Sequence, residues 1–198
     1  MTRLHLPLLC LAIAACDSGS GPASASPQRT ETAIFAGGCF WCTEADFEKL
    51  PGVVGALSGY TGGRTANPTY ERVSAGGTGH YEAVKVTYDP ARVSYAQLAR
   101  YYFRTVDPTD AGGQFCDRGE SYRTAIFATP QQRRLAEAAK AEAGRSLKGR
   151  MVTPILLAAR FYPAEDYHQD YYKKNPIRYR YYRFSCGREA RLKEVWGR

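Results

Sequence analysis

The 198-residue sequence has no apolar run long enough to span a bilayer; residues 6–15 form a short one, and no second long segment follows. That excludes a multispan membrane protein. No internal repeat is visible, which sets aside solenoids and propellers. Six cysteines in a chain of this length are too few for a disulfide-stapled mini-protein. Acidic residues are the scarcer charge, 19 against 27 Lys+Arg, for a net charge of +8. Such a field weakly favours anionic partners without naming one. With 44% hydrophobic and 23% charged residues the chain is neither disordered nor collagen-like, and its length suits one domain with a small tail. Tyrosine (15) and glycine (19) are abundant, as in a fold with many turns and aromatic packing.

The N-terminus reads as an address. Arg3 and His5 form a short polar start, residues 6–15 an apolar core, and Ile13-Ala14-Ala15 places small residues directly before Cys16. This resembles the lipobox of bacterial lipoproteins, which implies removal of residues 1–15 and acylation of Cys16. Residues 16–31, rich in Ser, Gly, Ala and Pro, cannot bury a core and read as a flexible tether. Residues 32–198 remain for the folded domain. The expected location is periplasmic, membrane-anchored through the lipid.

Alternating strands and helices follow. Residues 32–36 are an apolar run closed by Gly37-Gly38, and residues 39–50 a helix stopped by Pro51-Gly52. Residues 53–60 and 80–88 suit strands around a loop rich in Gly, Asn and Pro. Ser94 with Gln97 forms a capping box for a helix through Leu98 and Tyr102. Residues 121–128 read as a strand. Thr129 caps a long helix with Pro130 at its first position, reaching about residue 148. Residues 155–160 suit a last strand, and beyond them lies an irregular tail with seven tyrosines from Tyr162 to Tyr182. The pattern is β-α-β-β-α-β with additions: a two-layer α+β fold, helices on a mixed sheet.

The chemistry gathers at Cys39. It follows a strand and two glycines at a helix start, where amides and macrodipole favour a thiolate and lower the thiol pKa. Phe40 and Trp41 suit an aromatic wall beside it, or core packing. On the strand of residues 80–88 the even positions are the more apolar, so Glu82 points to the core, where burial raises a carboxyl's pKa and suits it to a general acid; an outward bend into water is the alternative. Cys39-Phe40-Trp41-Cys42 is also a Cys-x-x-Cys, so a thioredoxin-like dithiol is a competitor, with Thr153-Pro154 as its facing proline loop. A zinc site drawn from Cys39, Cys42, Cys116, Cys186, His80 and His168 has one short ligand spacing, Cys39–Cys42, and no metal is expected. The basic and aromatic tail, Lys173 to Arg183, reads as a solvated wrap; nucleic acid is not an expected partner.

Gly37-Gly38-Cys39-Phe40-Trp41 resembles the active-site signature of the A-type peptide methionine sulfoxide reductases. Gly59-Tyr60-Thr61-Gly62-Gly63, Asn67-Pro68-Thr69-Tyr70, Thr78-Gly79-His80-Tyr81-Glu82-Ala83-Val84, Asp117-Arg118-Gly119, Ser121-Tyr122-Arg123 and Tyr162-Pro163-Ala164-Glu165-Asp166-Tyr167-His168-Gln169 extend the match across the domain. The resemblance implies a ferredoxin-like α/β fold and reduction of the S epimer of methionine sulfoxide. It makes Cys39 the nucleophile, with Phe40 and Trp41 around the substrate methyl group. It makes Glu82 the proton donor to the sulfoxide oxygen, Tyr70 and Tyr122 its hydrogen-bond donors, and Asp117 a residue ordering the site. Cys39 becomes a sulfenic acid, a second thiol closes a disulfide, and an external thioredoxin-like dithiol reopens it. No bound cofactor is implied; the partners are that reductant and oxidised methionine-containing proteins, acted on by a monomer. Two departures stand out. Cys42 occupies a position often Gly in this family, and the tail offers a single cysteine, Cys186. Cys186 is the first choice for the resolving thiol, because a mobile tail reaches Cys39 without unwinding a helix. Cys42 is second, because a disulfide across a helical turn strains it, and Cys116 third. A thiol-disulfide oxidoreductase using Cys39 and Cys42, which needs neither Glu82 nor Trp41, and a non-catalytic binding module are the alternative functions.

Overall fold

The computed structural model describes residue 2 and residues 29–147 and 149–197; residues 1–15 and Cys16 lie outside the segments discussed below. The centre is built from four strands and two helices: β1 (Glu31–Gly37), α1 (Phe40–Glu48), β2 (Val53–Thr61), β3 (Tyr81–Tyr88), α3 (Tyr95–Thr105) and β6 (Thr124–Ala128). Between them stand α2 (Tyr70–Ser74) and the hairpin strands β4 (Gly113–Gln114) and β5 (Asp117–Arg118). After β6 come α4 (Pro130–Arg145), β7 (Ile155–Leu157), β8 (Tyr162–Pro163), α5 (Tyr171–Lys174), α6 (Pro176–Ser185) and α7 (Arg188–Trp196).

The main sheet has the order β7-β6-β1-β3-β2-β8. β3 is antiparallel to both β1 and β2, and β1 is antiparallel to β6, which is the expected β-α-β-β-α-β core. β7 joins β6 in parallel, so the sheet is mixed. Period-two alternation sorts the side chains. Phe35, Val84, Val86 and Ile126 face a layer formed by Phe47, Leu98, Tyr102 and the alanine stripe Ala136, Ala139 and Ala143 of α4. Ala36, Tyr81, Ala83, Ala125 and Phe127 face the opposite side, against Leu156 and Phe161. The Ser94–Gln97 capping box and the Thr129 N-cap form as expected, and Gln132 completes a second box at Thr129: the Ser94 and Thr129 hydroxyls accept from Gln97 N and Gln132 N.

The short strands β4, β5 and β8 were not expected, β6 starts at Thr124 rather than residue 121, and three further differences bear on the site. The Gly-rich stretch before β3 contains the short helix α2. The last strand is shorter, ending at Leu157. The tail is not irregular but folds as α5, α6 and α7, because it packs on the domain: Tyr171 stacks on Trp41, with ring centroids 3.7 Å apart, and Trp196 Nε1 donates to the Val106 carbonyl at 3.1 Å. Among the described residues no helix is long and apolar enough to cross a membrane.

Candidate functional site

Cys39 is the N-cap of α1, with φ −50° and ψ 120°, so it stands just outside the helix. Gly38 (φ +80°) makes the turn from β1; a Cβ there would lie 2.5 Å from Cβ of buried Gln114, so no other residue fits. From this turn Cys39, Phe40 and Trp41 reach one small cavity of about 80 Å³, completed by Tyr70, Glu82, Asp117, Tyr122 and Tyr182. It has room for the end of a side chain rather than a whole one.

Glu82 is buried on the helix-facing side of β3, as the alternation suggested, and accepts the Phe40 N–H at 3.0 Å. It thereby caps α1 from another element. Burial pushes its pKa up to about 8; the Phe40 amide opposes this, and the neighbouring Asp117 and Cys42 reinforce it. At neutral pH the carboxyl is predominantly protonated.

The thiols do not follow the helix-terminus expectation. Burial raises Cys39 well above the ordinary thiol value; its hydrogen bond to Cys42 and the carboxyls of Glu82 and Asp117 push the same way. Desolvation outweighs the macrodipole because the sulfur sits in a closed, acid-lined cavity. Cys42 is lowered: Cys39 donates to its sulfur, which outweighs the effect of burial, and the nearby Arg188 and Arg183 charges pull the same way. Cys42 packs among Ala45 and Tyr179 on the inner face of α1.

Tyr70, Tyr122 and Tyr182 are held protonated, burial being the leading cause for each, and so remain hydroxyl donors at the cavity. Tyr182 donates to Asp117 Oδ2 at 2.5 Å. Tyr182 is a site residue that no sequence signal announces, because it sits in an aromatic and basic alternation that reads as a solvated wrap. His168, which the sequence offered only as a zinc-ligand candidate, supports the aromatic wall: it is buried, its Nδ1 accepts Trp41 Nε1 at 3.0 Å, and its ring lies against Phe40 and Tyr70. Glu165 fixes the start of α2, accepting Tyr70 N at 2.8 Å and the Tyr60 hydroxyl at 2.8 Å.

Cys186 is not on a mobile tail. It is the C-cap of α6 and is disulfide-bonded to Cys116, while Cys39 and Cys42 are the free cysteines among the described residues. Thr153-Pro154 does not face the dithiol: Thr153 bonds Thr124, and the Pro154 carbonyl accepts Ile126 N beside β6, away from the cavity. The residues considered for zinc are not gathered. The His80 ring nitrogens bond Gly63 N and the Thr65 carbonyl, and His168 serves Trp41.

The family model for peptide methionine sulfoxide reductase matches residues 31–198, the span that contains every strand and helix above. The chain is 56% identical over 194 residues to a peptide methionine sulfoxide reductase MsrA 2 of Caulobacter vibrioides, covering 98% of each. It is 54% identical over 174 residues to an MsrA of Bacillus licheniformis, covering 86% of this chain and 96% of that one. Among solved structures, methionine sulfoxide reductase A of Corynebacterium diphtheriae superposes with a TM-score of 0.65 at 38% identity, over 77% of this chain and 78% of that one. Reduced Mxr1 of Saccharomyces cerevisiae gives 0.66 at 30% identity, over 77% and 89%. A cysteine at a helix start beside a protonated buried carboxyl and a ring of tyrosine donors is chemistry suited to removing an oxide oxygen, and with these matches the chain belongs to the A-type peptide methionine sulfoxide reductases, enzymes that reduce methionine sulfoxide to methionine.

Proposed function

We propose that Cys39 and Glu82 together carry the reduction of the S epimer of methionine sulfoxide. The observation that supports this most directly is the placement of buried Glu82 in the cavity that holds the Cys39 sulfur, where burial pushes its pKa up to about 8 and favours the protonated form at neutral pH. The Cys39 sulfur attacks the sulfoxide sulfur, and Glu82 gives its proton to the sulfoxide oxygen. Charge growing on that oxygen is met by the Tyr70 and Tyr122 hydroxyls. The thiol proton replaces the one Glu82 gave. Thiol plus sulfoxide becomes sulfenic acid plus thioether, with oxygen transferred from one sulfur to the other. Phe40 and Trp41 enclose the S-methyl group, and Asp117, bonded by Tyr182, orders the oxygen side.

Cys42 is the resolving thiol in this reading, ahead of Cys186. The expected strain applied to two residues inside a helix. Cys39 is instead an N-cap with extended ψ, already hydrogen-bonded to the Cys42 sulfur, whereas Cys186 is committed to Cys116. Cys42 attacks the Cys39 sulfenic sulfur, water leaves, and the disulfide is reopened by two thiols of an external thioredoxin-like dithiol. Oxidised proteins are the substrates.

The chain is exported as a lipoprotein: residues 1–15 are removed, Cys16 is acylated, and the stretch from residue 16 to the start of β1 at Glu31 tethers the domain on the periplasmic side. The small residues before Cys16 and the Cys116–Cys186 bond, at home in an oxidising compartment, support this. Palmitate labelling of the expressed chain, lost in Cys16→Ser, is the expected outcome; labelling that survives the substitution refutes it.

For the chemistry, each epimer is incubated separately with dithiothreitol and wild type, Cys39→Ser or Glu82→Gln. The expected result is turnover of the S epimer alone, none in Cys39→Ser and at least ~100-fold slower turnover in Glu82→Gln. Turnover by Cys39→Ser, or an unaffected Glu82→Gln, overturns the assignment.

A further inference from the structure

The second pair of cysteines has a placement of its own. Cys116 lies in the two-residue turn of the β4–β5 hairpin, directly before Asp117; Cys186 ends α6, four residues after Tyr182. The disulfide therefore joins the two segments whose side chains meet as the Tyr182–Asp117 hydrogen bond in the cavity wall. Each segment is anchored separately, the hairpin by buried Gln114 bonded to the Asp107 backbone and α6 by Arg183 paired with Asp46, and the disulfide ties the two to each other. The hairpin has two residues in each strand and forms a sheet apart from the main one, and α6 buries a single residue, Tyr179. The Phe115 ring lies 4.5 Å from the buried Arg188 guanidinium at the same junction, a non-covalent contact beside the covalent one.

We propose that the Cys116–Cys186 disulfide is a positioning device that holds Asp117 and Tyr182 over Cys39 and delivers no electrons to the oxidised enzyme. This rests on Cys42 as the resolving thiol. With the bond intact, α6 can leave the hairpin only by carrying Cys116, and with it Asp117, out of the cavity. The groups around Glu82 are Cys39 and Cys42 from the α1 end, Tyr60 of β2, Tyr70 of α2, Asp117 of β5 and Tyr122 of the turn before β6. Of these, Asp117 is the one tied by the disulfide, and its charge pushes the Glu82 proton affinity up. Opening the bond releases that push.

The test is single turnover without external reductant, on the chain with Cys39 and Cys42 reduced and the second bond intact. It is compared with Cys116→Ser/Cys186→Ser, each with and without Asp117→Asn. The expected result is one methionine per chain in both, a rate at least about tenfold lower in the double variant, and a basic limb of the pH–rate profile moved to lower pH. Asp117→Asn moves the limb in the same direction, and opening the disulfide in that background adds less than about twofold. An unchanged rate and limb overturns the positioning role. Two methionines from a fully reduced wild-type chain, against one from the double variant, overturns it by showing that the pair donates electrons. A Cys39–Cys186 bond formed in pre-reduced Cys42→Ser overturns it together with the Cys42 assignment, so the two failures are told apart. Should the double variant not fold, the wild-type chain opened with a phosphine after folding supplies the same rate comparison.

Discussion

Replacing Glu82 by glutamine alters stability as well as turnover, and the size follows from the site. Glu82 is 2% exposed, and its pKa stands at about 8 against an ordinary 4.5, with burial the leading cause. Between those two values the folded chain keeps a proton that the unfolded chain has released. Unfolding therefore becomes easier as pH rises through that window, by about 1.4 kcal/mol per pH unit and about 5 kcal/mol across it. The stabilisation from the protonated carboxyl is complete below pH 4.5 and gone above 8. Glutamine keeps an oxygen to accept the Phe40 N–H but has no proton to lose. The expected outcome is a Glu82→Gln chain close to wild type at pH 5 and more stable than it at pH 9, the difference growing by about 1.4 kcal/mol per unit up to about pH 8 and level beyond it. Urea unfolding of both chains from pH 5 to 9 measures it. Parallel stability profiles would mean that Glu82 ionises normally in the folded chain, and the general-acid argument would fall with them.

Two further substitutions probe the frame. Thr129→Ala removes the cap of α4, whose hydroxyl accepts Gln132 N at 3.3 Å, and should cost about 1 kcal/mol by urea midpoint with activity retained; no loss would mean that the tertiary contacts of α4 make its cap redundant. Arg188→Ala removes a buried guanidinium that donates to the Thr105 carbonyl at 2.7 Å and lies near Asp46 and Phe115. It should cost about 3–5 kcal/mol, read as a lowered Tm, and a loss under about 1 kcal/mol would show that this junction is held by other contacts.

The core of the fold was legible because its signals are local. Short apolar runs closed by Gly or Pro marked β1, β2 and β3, and the Ser94 box and the Thr129-Pro130 start fixed two helix beginnings within one turn. Glu82 was legible because strand alternation decides which side a residue faces. What was not legible depended on distant partners. Tyr172, Tyr179 and Tyr182 stand 7 and 3 residues apart, a helical spacing masked by the intervening Asn175-Pro176 and by the dense basic and aromatic run, and α5 and α6 form because Trp41, Glu48 and Asp117 offer them a stack and two hydroxyl partners. The Cys39 thiol was misjudged for the same reason: the helix start was visible in the sequence, whereas the enclosure that outweighs it comes from residues 70, 117, 122 and 182. Cys116 and Cys186 lie 70 residues apart, and nothing local announces their bond.

The cavity draws its walls from residue 39 to residue 182 of a 198-residue chain. Synthesis from the N-terminus therefore makes the nucleophile early and its enclosure last. Until α6 has emerged, Cys39 and Cys42 belong to a chain that already holds Tyr70, Glu82, Asp117 and Tyr122 but lacks Tyr182 and its bond to Asp117. A product cut short before Tyr182 also lacks Cys186, so Cys116 remains a third thiol with no partner of its own, open to disulfide formation with Cys39 or Cys42. The last two dozen residues thus complete a site whose nucleophile lies at the other end of the domain.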